Sequence, residues 1–274
     1  MIIENTGNFS VMKTFDCGQC FRFEPVGEDW SEVRGTVGDY PVRIKDLGGA
    51  VEIDGDGERD FWEKYLSLDT DYAAIDGRIL SALDVENDRQ VMSAAVGRGV
   101  GIRILRQDPW ETLISFIISQ NNNIPRIKKI ISAMCESCGK ALGGGEYAFP
   151  TPEALCSEGA DGLLRFGCGF RAKYIYGAAK MVAEGEIDLA AVPEMKDYAD
   201  ADEYLRRIAG VGPKVSACTL LFGFGRLDAF PIDVWVKRIM EKRFPNGLDY
   251  TRFGEYAGIA QQYLFYYERW CAND

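Results

Sequence analysis

Lys214 is the candidate nucleophile of this sequence. It follows the run Leu205-Arg206-Arg207-Ile208-Ala209-Gly210-Val211-Gly212-Pro213, which reads as a helix, a tight glycine turn and a second helix. The glycines permit positive φ and close backbone approach, and Pro213 suits a first helical turn. Such a turn aims free N–H groups and the positive end of a helix dipole at an anion. A duplex phosphate fits, held by contacts that carry no base sequence. A bare G-x-G between helices reads equally as an αα-hairpin in a bundle. Lys214 changes the balance, because a helix N-terminus disfavours the ammonium form. A neutral lysine is the nucleophile of Schiff-base chemistry. Further on, Phe230-Pro231-Ile232-Asp233-Val234-Trp235 places an aspartate at an expected helix N-cap. Capping alone accounts for such a residue in most proteins. Near an amine nucleophile, its carboxylate could also stabilise a cationic sugar transition state and shuttle protons.

The rest of the composition removes competitors. The 274 residues include no histidine, which excludes Ser-His-Asp and Cys-His nucleophiles and every His-ligated metal site. Four of the eight cysteines form two C-x-x-C pairs, Cys17/Cys20 and Cys135/Cys138. Their separation is far longer than in a zinc ribbon, so buried free thiols are expected, and Cys271 stands alone without iron–sulfur spacing. No metal ligand set is assigned. Apolar residues are 47% of the chain and charged residues 27%, which excludes disordered and low-complexity classes. No apolar run reaches the ~20 residues of a membrane helix, and the N-terminus lacks signal-peptide features. A cytoplasmic protein is expected.

The net charge of −11 argues at first against a polyanionic partner. Its distribution reverses the argument. Residues 1–100 carry 10 basic and 20 acidic side chains, whereas residues 101–274 carry 21 and 22. The stretch 204–243 alone has eight basic and three acidic residues. A molecule with a basic face around the hairpin and an acidic back is expected.

These residues need a scaffold. Residues 20–26, 31–37, 40–45 and 50–53 alternate partially between turns rich in glycine or acid, which predicts an antiparallel meander of about four strands. From residue 58 the pattern turns helical. Asp108-Pro109-Trp110 opens a helix with an N-cap and a first-turn proline. Its run Leu113 to Ile118 is apolar nearly all round, as in a central buried helix. Further helices are predicted at about 124–138, 170–184, 198–208, 213–223, 233–243 and 251–269. The fold class is α+β, a small antiparallel β domain with flanking helices over 1–100 followed by a mostly helical body over 101–274.

Five segments, in order, carry a family resemblance. Gly210-Val211-Gly212-Pro213-Lys214 followed by Pro231-Ile232-Asp233-Val234 resembles the helix-hairpin-helix (HhH-GPD) DNA glycosylases. Gly18-Gln19-Cys20-Phe21-Arg22-Phe23, Ser119-Gln120-Asn121-Asn122-Asn123-Ile124-Pro125-Arg126 and Gly169-Phe170-Arg171-Ala172-Lys173-Tyr174 narrow it to the 8-oxoguanine DNA glycosylase branch. The resemblance implies a TATA-binding-protein-like N-terminal sheet. It also implies removal of 8-oxoguanine from duplex DNA by base flipping, through a lysine–sugar Schiff base with associated β-elimination at the abasic site.

By the same resemblance Lys214 attacks the sugar and Asp233 assists. The Gly18 carbonyl senses the N7 hydrogen of the oxidised base, Cys218 and Phe265 sandwich that base, and Gln261 bonds its Watson–Crick edge. Asn121, Arg126 and Arg171 read the orphaned cytosine, and Phe170 wedges the duplex open, since extrusion costs a few kcal/mol of unstacking. Gly210, Gly212 and Trp235 meet the DNA backbone. Trp235 departs from the family, where a histidine commonly stands. No cofactor is required, although hairpin carbonyls in this fold can bind a structural cation. The partner is duplex DNA containing oxidised guanine, with no membrane, and the protein is expected to be a monomer. Two alternatives stay open on the residues alone: a glycosylase for another damaged purine, and a non-catalytic hairpin that only binds DNA. Each residue also has a plainer reading, Phe265 and Cys218 as core, Gly18 as a turn glycine, Asn121 as loop, and Gln261 exchangeable with Gln262.

Overall fold

The structure is a computed structural model that describes residues 1–271. Its first unit is a five-stranded antiparallel sheet, β1 (Ile2–Glu4), β2 (Phe23–Pro25), β3 (Glu32–Val37), β4 (Tyr40–Asp46) and β5 (Ala50–Gly55), in the order β1-β5-β4-β3-β2. The pairings Val33↔Ile44 and Ile44↔Ile53 line up one apolar row. That face is covered by α1 (Val11–Phe15) and α2 (Arg59–Tyr65), which bring Val11, Phe15, Trp62 and Tyr65 into the same core. Alternation with period two buries one face and wets the other, as the sequence pattern predicts.

Two expectations change here. The sheet has five strands rather than four, because Ile2–Glu4 pairs with β5, and three residues are too short to show alternation. The strand expected over 20–26 shrinks to Phe23–Pro25. Residues 20–22 instead continue the irregular segment that turns at Gly18, whose φ of +76° is glycine territory.

The helical unit comprises α3 (Tyr72–Ser81), α4 (Glu86–Gly99), α5 (Pro109–Ser119), α6 (Ile124–Cys138), α7 (Pro152–Leu163), α8 (Ala172–Ala183), α9 (Tyr198–Arg206), α10 (Pro213–Phe224), α11 (Val234–Arg243) and α12 (Ala257–Tyr266). A two-stranded hairpin, β6 (Ala141–Gly143) and β7 (Glu146–Tyr147), links α6 to α7. Asp108 caps α5 by accepting from the Glu111 amide at 2.8 Å. Residues 112–118 of α5 are all buried, so this is the central helix its apolar run predicts. The region 251–269, expected as one helix, is a 3-10 stretch (Tyr250–Tyr256), then α12, then a π-turn (Tyr267–Cys271). A kink at Gly254, φ +53°, lies within the 3-10 stretch.

The hydrophobic cores do not divide at residue 100. Tyr72, Ile75, Met92 and Val96 of α3 and α4 join the helical core, while Leu105 joins the sheet core. The reason is close packing: a Cβ on Gly99 would lie 2.3 Å from the Tyr263 ring, so α4 seats directly on α12. Among the described residues, no helix is long and apolar enough to cross a membrane.

Candidate active site

Where the two units meet, a cavity of about 700 Å³ opens, within the usual size of a ligand site. Five elements build most of it: the Gly18 turn, the C-terminus of α5 with its asparagine loop, one face of α10, the start of α11, and α12. Lys214, Asp233, Gly18, Cys218, Gln261, Phe265, Asn121 and Trp235 all line it.

Lys214 is the second residue of α10, after Gly212 as N-cap and Pro213. Its ammonium nitrogen lies 3.0 Å from Ser119 Oγ and 4.7 Å from the centre of the Phe116 ring. Both contacts come from α5, so the buried central helix holds the reactive amine at the cavity wall.

Asp233 caps α11. Its Oδ1 accepts from the Trp235 and Val236 amides, each at 2.9 Å, so Oδ2 lies outside the cap. Burial raises its pKa above the ordinary aspartate value. The two amide bonds, the positive charge of Lys214 and that of Arg269 oppose that rise. Asp233 thus has the capping role its sequence context predicts and also faces the lysine.

Cys218, one turn after Lys214, is fully buried, and desolvation pushes its thiol up to about 11 despite the neighbouring lysine charge. It stands as a neutral, polarisable wall rather than a thiolate. Phe265 closes over the Gly18 turn, where a Cβ on that glycine would sit 3.4 Å from the ring. The two neighbouring glutamines of α12 separate clearly. Gln262 donates to the Cys17 carbonyl at 2.8 Å, whereas the buried Gln261 Oε1 accepts from nothing among the described residues. An orphaned buried acceptor is costly, and a ligand with N–H donors would satisfy it.

Of the other predicted residues, Arg126, Phe170 and Arg171 lie outside this cavity. Asn121 follows the end of α5 with φ +48° and is exposed at the cavity rim, while Asn123 caps α6 through the Arg126 amide. Arg126 is exposed and donates to the Gly167 carbonyl at 3.2 Å. Arg171 is only 3% exposed. Its guanidinium donates to the carbonyls of Gln120, Asn121 and Cys168, and in this state it braces the asparagine loop. Phe170 beside it projects into solvent, 53% exposed.

In the hairpin, Gly210 has φ +88° and packs against Tyr174, where a Cβ would lie 2.4 Å from the ring. Gly212 borders open space. None of the described residues accepts from the amides of Gly210, Gly212 or Lys214, as an anion site requires. The basic segment is less bare than its composition suggests: Arg206, Arg226, Lys237 and Lys242 have carboxylate partners. Trp235 is half-buried under the Arg238 guanidinium, 4.6 Å from its ring.

Sequence reasoning missed Ser119 and Phe116, which touch the lysine, and Arg269, which lines the cavity beside Gly18. Ser119 adjoins the asparagine motif, but nothing local marks its contact with a residue on α10. Cys17, Cys20 and Cys135 are buried thiols, and Cys138 is half-buried beside Glu158. Among the described residues, no group of three or more Cys, Asp or Glu side chains could hold a metal ion.

Residues 1–113 match the family described as 8-oxoguanine DNA glycosylase, N-terminal domain, and residues 114–247 match the HhH-GPD superfamily base excision DNA repair proteins. The chain is similar to the N-glycosylase/DNA lyase of Saccharomyces cerevisiae, 40% identical over 158 residues. That match covers 53% of this chain and only 42% of the yeast protein. Over nearly the whole chain it is similar to MBOgg1 solved with a low-affinity DNA ligand (40% identity, TM-score 0.88, 98% of this chain and 94% of the other). It is likewise similar to the Clostridium acetobutylicum 8-oxoguanine glycosylase/lyase solved with duplex DNA containing cytosine opposite 8-oxoG (37%, 0.88, 98% and 94%).

Proposed function

The chain belongs to the 8-oxoguanine DNA glycosylase family of the HhH-GPD superfamily, and on that premise we propose that it excises 8-oxoguanine from duplex DNA and cleaves the resulting abasic site. The carrying observation is that Lys214 and Asp233 converge on one cavity whose walls also hold the uncommitted Gln261 Oε1. Guanine-type bases present N–H donors on their Watson–Crick edge, which that oxygen would accept. Cys218 and Phe265 would hold the two faces of the extruded base. The Gly18 carbonyl, which accepts from nothing among the described residues, would take the N7 hydrogen of 8-oxoguanine. Unoxidised guanine would bring a lone pair there, and facing acceptors cost about 1–3 kcal/mol.

Lys214 must attack as the neutral amine. Its lone pair bonds to the sugar C1′ as the glycosidic bond breaks, and the bonding pair leaves with the base, which takes up a proton. The ionised Asp233 would stabilise positive charge developing on the sugar and accept the proton released by the lysine nitrogen. Ring opening then leaves a Schiff base between C1′ and Nζ, from which loss of a C2′ proton expels the 3′ phosphate. Asn121, Arg126 and Phe170 would engage the opposite cytosine and the gap, and Arg171 would join them if the loop that it braces rearranges on DNA. The Gly210, Gly212 and Lys214 amides would hold backbone phosphate, with Trp235 nearby. Among the described residues nothing donates to the carbonyls of Ala209, Gly210 and Val211, which would be the oxygen donors for a structural cation; no step runs through it. Action on chromosomal DNA would place the protein in the cytoplasm of a prokaryotic cell.

Borohydride trapping on an 8-oxoguanine:cytosine duplex tests the proposal. Wild-type protein should give a covalent adduct and Lys214→Gln none. An adduct with the variant would remove Lys214 from its role. Release of alkylated or ring-opened purines in preference to 8-oxoguanine would move the protein to another purine lesion.

A further inference from the structure

The turn Cys17-Gly18-Gln19 is held by three glutamine side chains, two of them from outside it. Gln262 of α12 donates to the Cys17 carbonyl at 2.8 Å, and Gln107 donates to the Gln19 carbonyl at 2.8 Å. Gln19 itself is buried. Its amide donates to the Thr14 and Arg103 carbonyls at 2.9 and 2.8 Å, and its oxygen accepts from the Leu105 amide at 2.9 Å. The carbonyls flanking Gly18 are therefore both occupied, and among the described residues nothing donates to the Gly18 carbonyl between them. Gln107 is also tied by its own amide to the Phe222 carbonyl at 2.9 Å, on the helix that carries Lys214 and Cys218. Gln262 sits on the helix that carries Gln261 and Phe265. The two clamps thus connect the Gly18 turn to both walls of the cavity.

We infer that Gln107 and Gln262 are positioning residues that set the discrimination between oxidised and unoxidised guanine, by fixing the Gly18 carbonyl relative to the base slot and leaving it as the free acceptor between two occupied ones. Discrimination through one hydrogen bond requires the acceptor to be placed to within a few tenths of an ångström, because a carbonyl able to swing away from guanine N7 would no longer penalise the normal base. A turn with positive φ at its centre has no ladder of its own to supply that rigidity. The clamps supply it with two neutral hydrogen bonds, one from α12 and one from the segment before α5 that is tied to α10 at Phe222. This deepens the proposed excision reaction and depends on it.

The test compares two substrates in single turnover: an 8-oxoguanine:cytosine duplex, and the same duplex with a preformed abasic site, which offers no base to read. Gln262→Met and Gln107→Met keep side-chain length and remove the donor. Each should lower 8-oxoguanine excision about tenfold, the worth of one well-placed hydrogen bond, with abasic-site cleavage within twofold of wild type. With Lys214→Gln added to stop the chemistry, the ratio of affinities for 8-oxoguanine and guanine duplexes should fall by a similar factor. Excision and abasic cleavage falling together would make the clamps merely structural and overturn the inference, as would no change in either. Wild-type protein that cleaves the abasic site but leaves 8-oxoguanine in place would instead refute the proposed substrate.

Discussion

Replacing Asp233 by asparagine separates the two functions that this residue combines. As an N-cap, Asp233 satisfies two amides through Oδ1 alone. Asparagine keeps an oxygen there and caps about as well as aspartate, whereas alanine loses the cap at about 1 kcal/mol. The charge acts in the opposite direction on stability. Burial raises the folded-state pKa above 3.8, so between the unfolded and folded values the native protein binds more protons than the unfolded chain. Stability is therefore greatest below the unfolded value and declines as pH rises through the folded one. At neutral pH the buried carboxylate is a burden that Asp233→Asn removes. The variant should melt at or above the wild-type temperature at pH 7, with the difference vanishing on acidification. Asp233→Ala should melt about 2 °C lower than the asparagine variant. Activity should go the other way, because a positioned base contributes about 10²–10⁴-fold and asparagine can neither accept the proton nor neutralise sugar charge. Single-turnover excision and differential scanning calorimetry over a pH series measure both. An asparagine variant that excises within threefold of wild type, or that melts well below it, would refute this division of roles.

Gly210→Ala and Gly212→Ala should behave oppositely. The first forces a side chain into φ +88° against Tyr174 and should cost about 3 kcal/mol of stability, read by denaturant unfolding. The second meets open space and should leave unfolding unchanged while weakening duplex binding. Phe170→Ala removes an exposed ring; stability should stay within about 0.5 kcal/mol, while affinity for a lesion duplex falls about tenfold. Arg171→Ala leaves the Gln120, Asn121 and Cys168 carbonyls without their cationic donor. It should destabilise the protein by about 3 kcal/mol, and an unchanged melting temperature would show that the brace is dispensable.

Some features were legible in the residues because their causes are local. Asp108 and Asp233 cap helices through bonds spanning two or three residues, and β3 to β5 follow from alternation. The apolar run of α5 announces burial wherever the helix is placed. Short or polar elements were hidden. Three residues of β1 carry no period, and α4 is largely polar, so its position follows from seating Gly99 on Tyr263. The packing of α3 and α4 into the helical core was hidden for the same reason: it is set by the surface they pack on, not by their distance along the chain.

The site divides in the same way. Residue types and spacing were enough to name a lysine nucleophile, an assisting aspartate and a phosphate-binding hairpin, because these roles depend on intrinsic chemistry and on motifs that lie close in sequence. Only the tertiary structure distinguishes the bonding of Gln261 from that of Gln262. Adjacent helical residues point about 100° apart; both line the cavity, but Gln262 is committed to the Cys17 carbonyl while Gln261 Oε1 has no partner among the described residues. It likewise set Ser119 beside Lys214, 95 residues apart in sequence, and spent the Arg171 charge on the asparagine loop. Hydrogen bonds between distant segments leave no periodic trace in the sequence, so their partners exist only once the helices have packed.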